Sequence, residues 1–235
     1  MLQRPGCEFK SAGTTDKRED IDYFVTMAVR RDAENGGLAA AGDTAGLQAL
    51  ISRAQRAGKG LPPVERWNPP FCGDLDMEIR ADGTWFYMGT PIGRMALVQL
   101  FSTVLRKDED GRTYLVTPVE KVGIRVVDAP FVAVEMNVAG QGEAQVLTFR
   151  TNVGDVVEAG PEHRIRFADE DGTGGMKPYL HVRGRLEALV ARPVMYELAG
   201  LGETIDMDGE AMFCVRSKGE VFPIMPAAKL ERLSA

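Results

Sequence analysis

The strongest constraint on the fold is internal, because one stretch of the chain matches another lying 98 positions further on. RMALVQLFSTVLRKDEDGRTYLV, Arg94–Val116, aligns without gaps on RPVMYELAGLGETIDMDGEAMFC, Arg192–Cys214. Arg94 meets Arg192, Leu97 meets Met195, Leu100 meets Leu198, Asp110-Gly111 meets Asp208-Gly209, and Leu115-Val116 meets Phe213-Cys214. In each copy, apolar residues at helical spacing lead into an Asp-Gly turn and a strand. Upstream, YLHVRGRLEALV is a strand–turn–strand with Gly184 in the place of Gly83, three residues being omitted further on. A unit of hairpin, short loop, arginine, helix, Asp-Gly turn and strands thus occurs twice. Two copies mean duplication rather than a solenoid, which needs three or more. The predicted fold class is α+β, in two domains that share a duplicated hairpin–helix–hairpin motif.

The first copy begins where the pattern switches to period two. In GDLDMEIR, Leu75, Met77 and Ile79 share one strand face and Asp74, Asp76 and Glu78 the other, so alternation accounts for the D-x-D acids as a solvated face. After the turn ADG, TWFYM is the returning strand, with Trp85 and Tyr87 on one side and Phe86 on the other. The Gly-Thr-Pro-Ile-Gly loop after it lacks the lysine and Ser/Thr of a phosphate-binding P-loop and the third glycine of a dinucleotide fingerprint. It reads as a connector into a helix carrying Leu97, Leu100, Phe101, Val104 and Leu105. RKDEDG ends that helix as a solvated turn, and the strands beyond it are interrupted at Pro118 and Pro130. Between the copies, alternation of Phe131, Ala133 and Glu135 against Val132, Val134 and Met136 marks a β-meander, which makes the C-terminal domain β-rich. ADEDGTGGMKP is a flexible acidic loop without the spacing of a calcium-binding EF-hand.

Residues 1–42 mix charges, Gly and Ala without sustained periodicity, as a disordered tail does, and Met27 within them is a candidate translation start. Asp43 caps an expected helix with Leu47, Leu50, Ile51 and Ala54 on one face, closed by Gly58. In GLPPVERWNPP the prolines demand extended geometry, and Trp67 anchors that segment. The boundaries are therefore a tail at 1–42, an N-terminal α+β domain at 43–127 and a C-terminal α+β domain at 128–235. A net charge of -6 argues against non-specific nucleic-acid binding. No apolar run approaches a membrane span, and no secretory signal is visible. Three cysteines, Cys7, Cys72 and Cys214, without a close pair read as free thiols of a cytoplasmic protein. With two histidines and no CxxC, neither a metal site nor a cofactor is expected.

CGDLDMEIRADGTWFYMGTPIGRMALVQLFSTVLR, YLVTPVEKVGIRVVDAPFVAV, LTFRTNVGD and PYLHVRGRLEALVARPV together resemble the bacterial domain-of-unknown-function 1285 family, DUF1285, from about Trp67 to about Pro226. The resemblance implies a two-domain α+β protein with repeated motifs and a C-terminal domain similar to pleckstrin-homology folds. It also implies a nucleotide-like ligand held between the domains and a role in signal transduction, with no particular activity. The N-terminal residues depart from shorter family members and inherit nothing.

The residues point to a binder more than to a catalyst. Neither His163 nor His181 lies in a catalytic motif, and Cys72 beside Gly73 is a packing residue. Arg94 and Arg192 each stand at the start of an expected helix, where unpaired N–H groups and the helix dipole attract an anion that arginine can grip. Lys121, Arg125, Arg150 and Asn152 lie at strand ends, and His181 shares a strand face with Tyr179 and Arg183. Trp85 and Tyr87 offer stacking faces. Arg94, Trp85, Tyr87, Lys121, Arg125, Arg150, Asn152, His181 and Arg192 form the expected interdomain ligand site for an anionic small molecule. A protein-interaction scaffold using the C-terminal sheet with a protein partner is the alternative, and a hydrolase-type enzyme with an unrecognised site is the third.

Overall fold

In the computed structural model, residues 61–170 and 175–234 are described. The expected tail at 1–42 with Cys7 and Met27, the expected helix from Asp43 to Gly58, and the centre of the acidic loop at 171–174 lie outside the described residues. The protein is β-rich with short helices, of the α+β class, and divides between Val127 and Asp128 into two units.

Period-two burial builds the first unit. In β1 (Phe71–Ile79) Met77 and Ile79 are buried while Asp74 and Asp76 face outward, and in β2 (Trp85–Tyr87) Trp85 and Tyr87 are buried on the same side. Helix α1 (Met95–Thr103) buries Leu97 and Val98, and its Phe101 ring stacks on Trp85 at 6.2 Å. With β3 (Thr90–Pro91), β4 (Leu105–Lys107), β5 (Thr113–Val116) and β6 (Lys121–Val126), one six-stranded sheet runs in the order β3-β2-β1-β6-β5-β4. Within this sheet only β1 and β6 pair in parallel. Full burial of Trp85, Met77, Ile79, Leu105 and Val116 contributes about 1.5–3 kcal/mol per large side chain.

Two local expectations change. The Gly-Thr-Pro-Ile-Gly loop is partly strand. Met88 and Gly89, at φ 48° and 74°, form a tight turn of the kind that matches strand twist, and Thr90–Pro91 pairs back on β2. Pro91 is tolerated there because β3 is the sheet edge. RKDEDG is likewise no simple solvated turn, since Leu105, Arg106 and Lys107 pair with β5 as β4 and Arg106 is only 7% exposed.

The second unit holds β7 (Phe131–Ala139), β8 (Val146–Thr151), β9 (Val156–Glu158), β10 (Ile165–Asp169), β11 (Met176–Arg183) and β12 (Leu186–Val190) in a sheet ordered β10-β11-β12-β7-β8-β9. Phe131, Val132 and Ala133 are all buried, and a register shift follows between Ala133 and Glu135, so the expected alternation is not kept along β7. Helix α2 (Arg192–Gly200) leads into an antiparallel sheet of β13 (Glu203–Met207), β14 (Glu210–Ser217) and β15 (Glu220–Pro226), and α3 (Ala227–Ser234) follows. The fully buried Ser217 links the two sheets: its hydroxyl accepts from Leu147 N–H at 2.9 Å and donates to the Ala159 carbonyl at 2.7 Å.

Both units run hairpin, helix, three-stranded meander in the same chain order. Their sheets are joined differently. The first meander joins its hairpin through the β6–β1 pair, whereas the second forms a sheet of its own and β12 pairs with β7. The helices also start at residues that the 98-residue register does not match: α1 is capped at Arg94 and α2 at Ala191, so Arg192 is already the first helical residue.

Candidate functional site

Where β3 turns into α1, Ile92 N–H donates to the Trp85 carbonyl at 2.8 Å and fixes the approach. Arg94 is the N-cap residue, extended at φ -80° and ψ 101°, and its carbonyl accepts from Leu97 and Val98 N–H at 3.0 and 3.1 Å. Its side chain does not cap the helix, and no acid stands in the first turn. The positive end of the helix dipole is therefore not offset by a carboxylate within that turn. Arg94 is exposed, as are Gly93 and Met95. At α2, Ala191 N–H donates to the Ala133 carbonyl at 2.9 Å and anchors the start on β7. Again no side chain caps the helix and no acid lies in its first turn. Arg192 Nε reaches along the helix to the Tyr196 hydroxyl at 3.2 Å, a bond that raises the guanidinium above its ordinary value.

The other candidates divide between the two units and are held by different neighbours. Trp85 and Tyr87 are core residues, 1% and 2% exposed, and Phe101 covers the Trp85 ring. Lys121 Nζ donates to Asp108 at 2.9 Å and stands 4.5 Å from the Tyr114 ring centroid. Arg125 lies 3.4 Å from Glu78. Arg150 grips Glu135 with two nitrogens, which raises the arginine and lowers the carboxyl from their ordinary values. Asn152 zips the β8–β9 turn onto β7: its Oδ1 accepts from Val132 N–H at 3.0 Å and its own N–H donates to Val132 O at 2.8 Å. His181 places both ring nitrogens against backbone carbonyls, with Glu162 O and Gly184 O each at 2.9 Å.

The sequence reading missed two polar networks. In the first unit, Arg106 donates to Val64 O at 2.8 Å, Trp67 O at 2.6 Å and Asp108 at 2.6 Å, binding the 64–67 segment to β4. Burial alone would raise the Asp108 carboxyl, but bonds from Arg106 and Lys121 outweigh it and hold the group below its ordinary value. The Tyr114 hydroxyl donates to Asp110 at 2.5 Å, which raises the phenol. Arg112 pairs with Asp74, and this pair occupies the space that a side chain on Gly123 would enter, so a larger residue there would displace it. In the second unit Asp128 accepts from the Tyr179 hydroxyl at 2.7 Å and from Lys177 Nζ at 3.0 Å. Arg166 stacks 4.1 Å over Tyr179 and holds Glu187 at 2.6 and 2.7 Å. Burial, then the bond to Asp128, pushes Tyr179 up to about 12. The visible signal was RKDEDG itself, in which Arg106 pairs with Asp108, and Asp108 and Asp110 also take bonds from Lys121 and Tyr114. Among the described residues no group of three or more His, Cys, Asp or Glu side chains is placed to hold a metal ion, and no helix is long and apolar enough to cross a membrane.

Two family models match the chain: "Domain of unknown function (DUF1285), N-terminal domain" over residues 62–129 and "Protein of unknown function (DUF1285), C-terminal domain" over residues 130–224. Among solved structures, a DUF1285 family protein from Silicibacter pomeroyi DSS-3 is 56% identical with a TM-score of 0.70, the match covering 78% of this chain and 98% of that one. A DUF1285 family protein from Shewanella baltica OS155 is 27% identical with a TM-score of 0.43, over 54% of this chain and 91% of that one. No curated protein matches.

Proposed function

The chain belongs to the DUF1285 family, and from that premise we propose that it is a cytoplasmic binding protein for a phosphate-bearing, nucleotide-like small molecule that acts in signal transduction. One observation carries this reading: each unit presents a helix start with no capping side chain, no acid in its first turn and an arginine at the N-cap or first position. Exposed N–H groups at a helix start together with a guanidinium favour a phosphate over a neutral ligand. Arg94 is the contact of choice because it stands exposed at the N-cap itself, whereas Arg192 lies one position inside its helix. Lys121, Arg125, Arg150 and His181 lie on strands β6, β8 and β11 rather than at a helix start, so the reading does not rest on them. Trp85 and Tyr87 act through packing. The reading also takes the second unit, two sheets followed by α3, as pleckstrin-homology-like, and the two hairpin–helix–meander runs as products of one duplication. Element order supports both points.

The test is calorimetric titration of wild type and Arg94→Ala with a panel of nucleotides and inorganic phosphate. Loss of one charge-assisted hydrogen bond weakens binding by about 1.5–3 kcal/mol, or roughly ten- to 150-fold, without unfolding the protein. Absence of binding by wild type overturns the ligand reading, and equal binding by both proteins removes Arg94 from it. A second reading, a protein-interaction scaffold, is favoured by Met88 and Met95, apolar side chains 60% and 54% exposed on either side of the same connector. Native mass spectrometry of protein purified from its own cells separates the two: a retained small molecule supports the first, a retained protein the second.

A further inference from the structure

A sheet ends in unpaired backbone groups, and among the described residues every sheet edge but one is shortened, broken or covered. β3 is two residues long and contains Pro91. The 64–67 segment lies against β4, where Arg106 holds the Val64 and Trp67 carbonyls. β9 has three residues, and Lys218 reaches its Glu158 at 2.7 Å. β10 packs beside β15, and Lys229 of α3 bonds Asp169 at its end at 2.9 Å. β15 carries Pro223 and Pro226, is shifted in register against β14, and runs straight into α3.

β13 is the exception. It pairs with β14 from Glu203 opposite Cys214 to Met207 opposite Glu210 without a register shift, and it contains no proline. Its turn is the two-residue Asp208-Gly209, so Met207 and Glu210 exchange both backbone bonds, and the alternation continues through Ile205 and Glu203. The N–H and C=O groups of Thr204 and Asp206 therefore point outward from the edge. Both residues are exposed, whereas Ile205 and Met207 on the opposite face are half-buried.

Charge is what guards this edge. ETIDMDGE, Glu203–Glu210, holds four acids and no base. Glu203 is matched by Arg216, and Asp206 accepts from Gly209 N–H at 3.0 Å within its own turn. Asp206, Asp208 and Glu210 all stand exposed. Two copies pairing through β13 would bring two such acidic hairpins together, so like charge disfavours a second copy as the occupant. The same charge favours a strand that carries lysine or arginine.

We propose that β13 is a docking edge for an extended basic segment of a partner protein, added to the three-stranded sheet as a fourth strand. Its apolar side chains lie on the Ile205–Met207 face and its lysines or arginines on the Asp206 face, with Asp208 and Glu210 at the hairpin tip adding to the attraction. The docking edge is independent of the ligand proposed at Arg94.

The test titrates the full chain with three end-capped octapeptides: alternating lysine and valine, alternating glutamate and valine, and a fully N-methylated lysine–valine form that has no backbone donors. Fluorescence anisotropy reads binding, and amide exchange locates it. Expected is binding by the unmethylated lysine peptide alone, with exchange at the Thr204 and Asp206 amides slowed about tenfold at saturation, the effect of one hydrogen bond. Thr204→Pro removes an outward N–H that β14 does not use, so binding falls about tenfold while the fold is kept. Should that variant fail to fold, Asp208→Asn with Glu210→Gln keeps the ladder and weakens binding about two- to tenfold. Equal binding by the glutamate or the N-methylated peptide, or protection that misses Thr204 and Asp206, overturns the docking edge. So does failure of the lysine peptide to bind. Concentration-dependent protection of these amides in the chain alone overturns it as well, and assigns the edge to a second copy.

Discussion

Tyr179 shows what the polar side chains of this protein contribute. Its phenol is nearly buried, donates to Asp128 and lies under the Arg166 guanidinium. The folded value, about 12, lies above the ordinary 10, so folding favours the neutral phenol. The contribution is therefore complete below pH 10 and disappears as pH rises toward 12, a loss of up to about 2–3 kcal/mol. Alkaline titration followed by tyrosinate absorbance should show a late phenol whose ionisation coincides with a fall in stability. Tyr179→Phe should remove that late phase, and its persistence would assign the phase to another residue. Networks of this kind also explain why the candidate site was only partly legible. The sequence displays Lys121, Arg125 and Arg150 as strand-end cations, but their partners Asp108, Glu78 and Glu135 stand on other strands or loops. Pairing across a sheet is set by register, which a single sequence does not display.

Elements were legible wherever their periodicity ran long enough. β1 and β2 show their buried faces in the alternation of Leu75, Met77 and Ile79 and of Trp85 and Tyr87, and α1 falls on the apolar stripe from Leu97. The short strands β3 and β4 did not show, because two or three residues cannot establish a period of two. The β2–β3 turn was hidden for another reason: Met88 occupies a left-handed position, φ 48°, where asparagine, aspartate or glycine is the usual signal. The equivalent positions of the β13–β14 and β14–β15 turns are Asp208 and Lys218, at φ 57° and 53°. Of the three, only Asp208-Gly209 reads as a hairpin in the sequence. Met88→Asn should relieve backbone strain and stabilise the protein by about 0.5–1 kcal/mol, since Met88 is largely exposed and gives up little packing. A lower melting temperature in this variant would show that the methionine side chain contributes more than the strain costs.

At the scale of the whole molecule, the division between Val127 and Asp128 falls where each side is already committed to its own unit. Val127 N–H donates to Ile79 O at 2.9 Å, extending β6 alongside β1. Asp128 belongs to the other side, where its carboxylate receives Tyr179 and Lys177 from β11. The second unit has a buried core of its own, built on Phe131, Leu147, Phe149, Leu180, Leu186, Leu198 and Phe222. Its two sheets are joined by Ser217, whose bonds stay within residues 128–235. A fragment of that length holds enough apolar surface to fold as a domain. Residues 128–235 expressed alone should therefore unfold cooperatively, with the aromatic near-ultraviolet signal of a packed core. A second fragment beginning at Ala129 loses only Asp128, yet it leaves the Tyr179 hydroxyl and the Lys177 ammonium without their acceptor. It should be less stable to denaturant by about 1–3 kcal/mol, and its Tyr179 phenol, still raised by burial, should ionise earlier than in the longer fragment. Equal stability of the two would show that the Asp128 cluster is decoration on the sheet. A non-cooperative transition in both would show that the second unit depends on the first for its core.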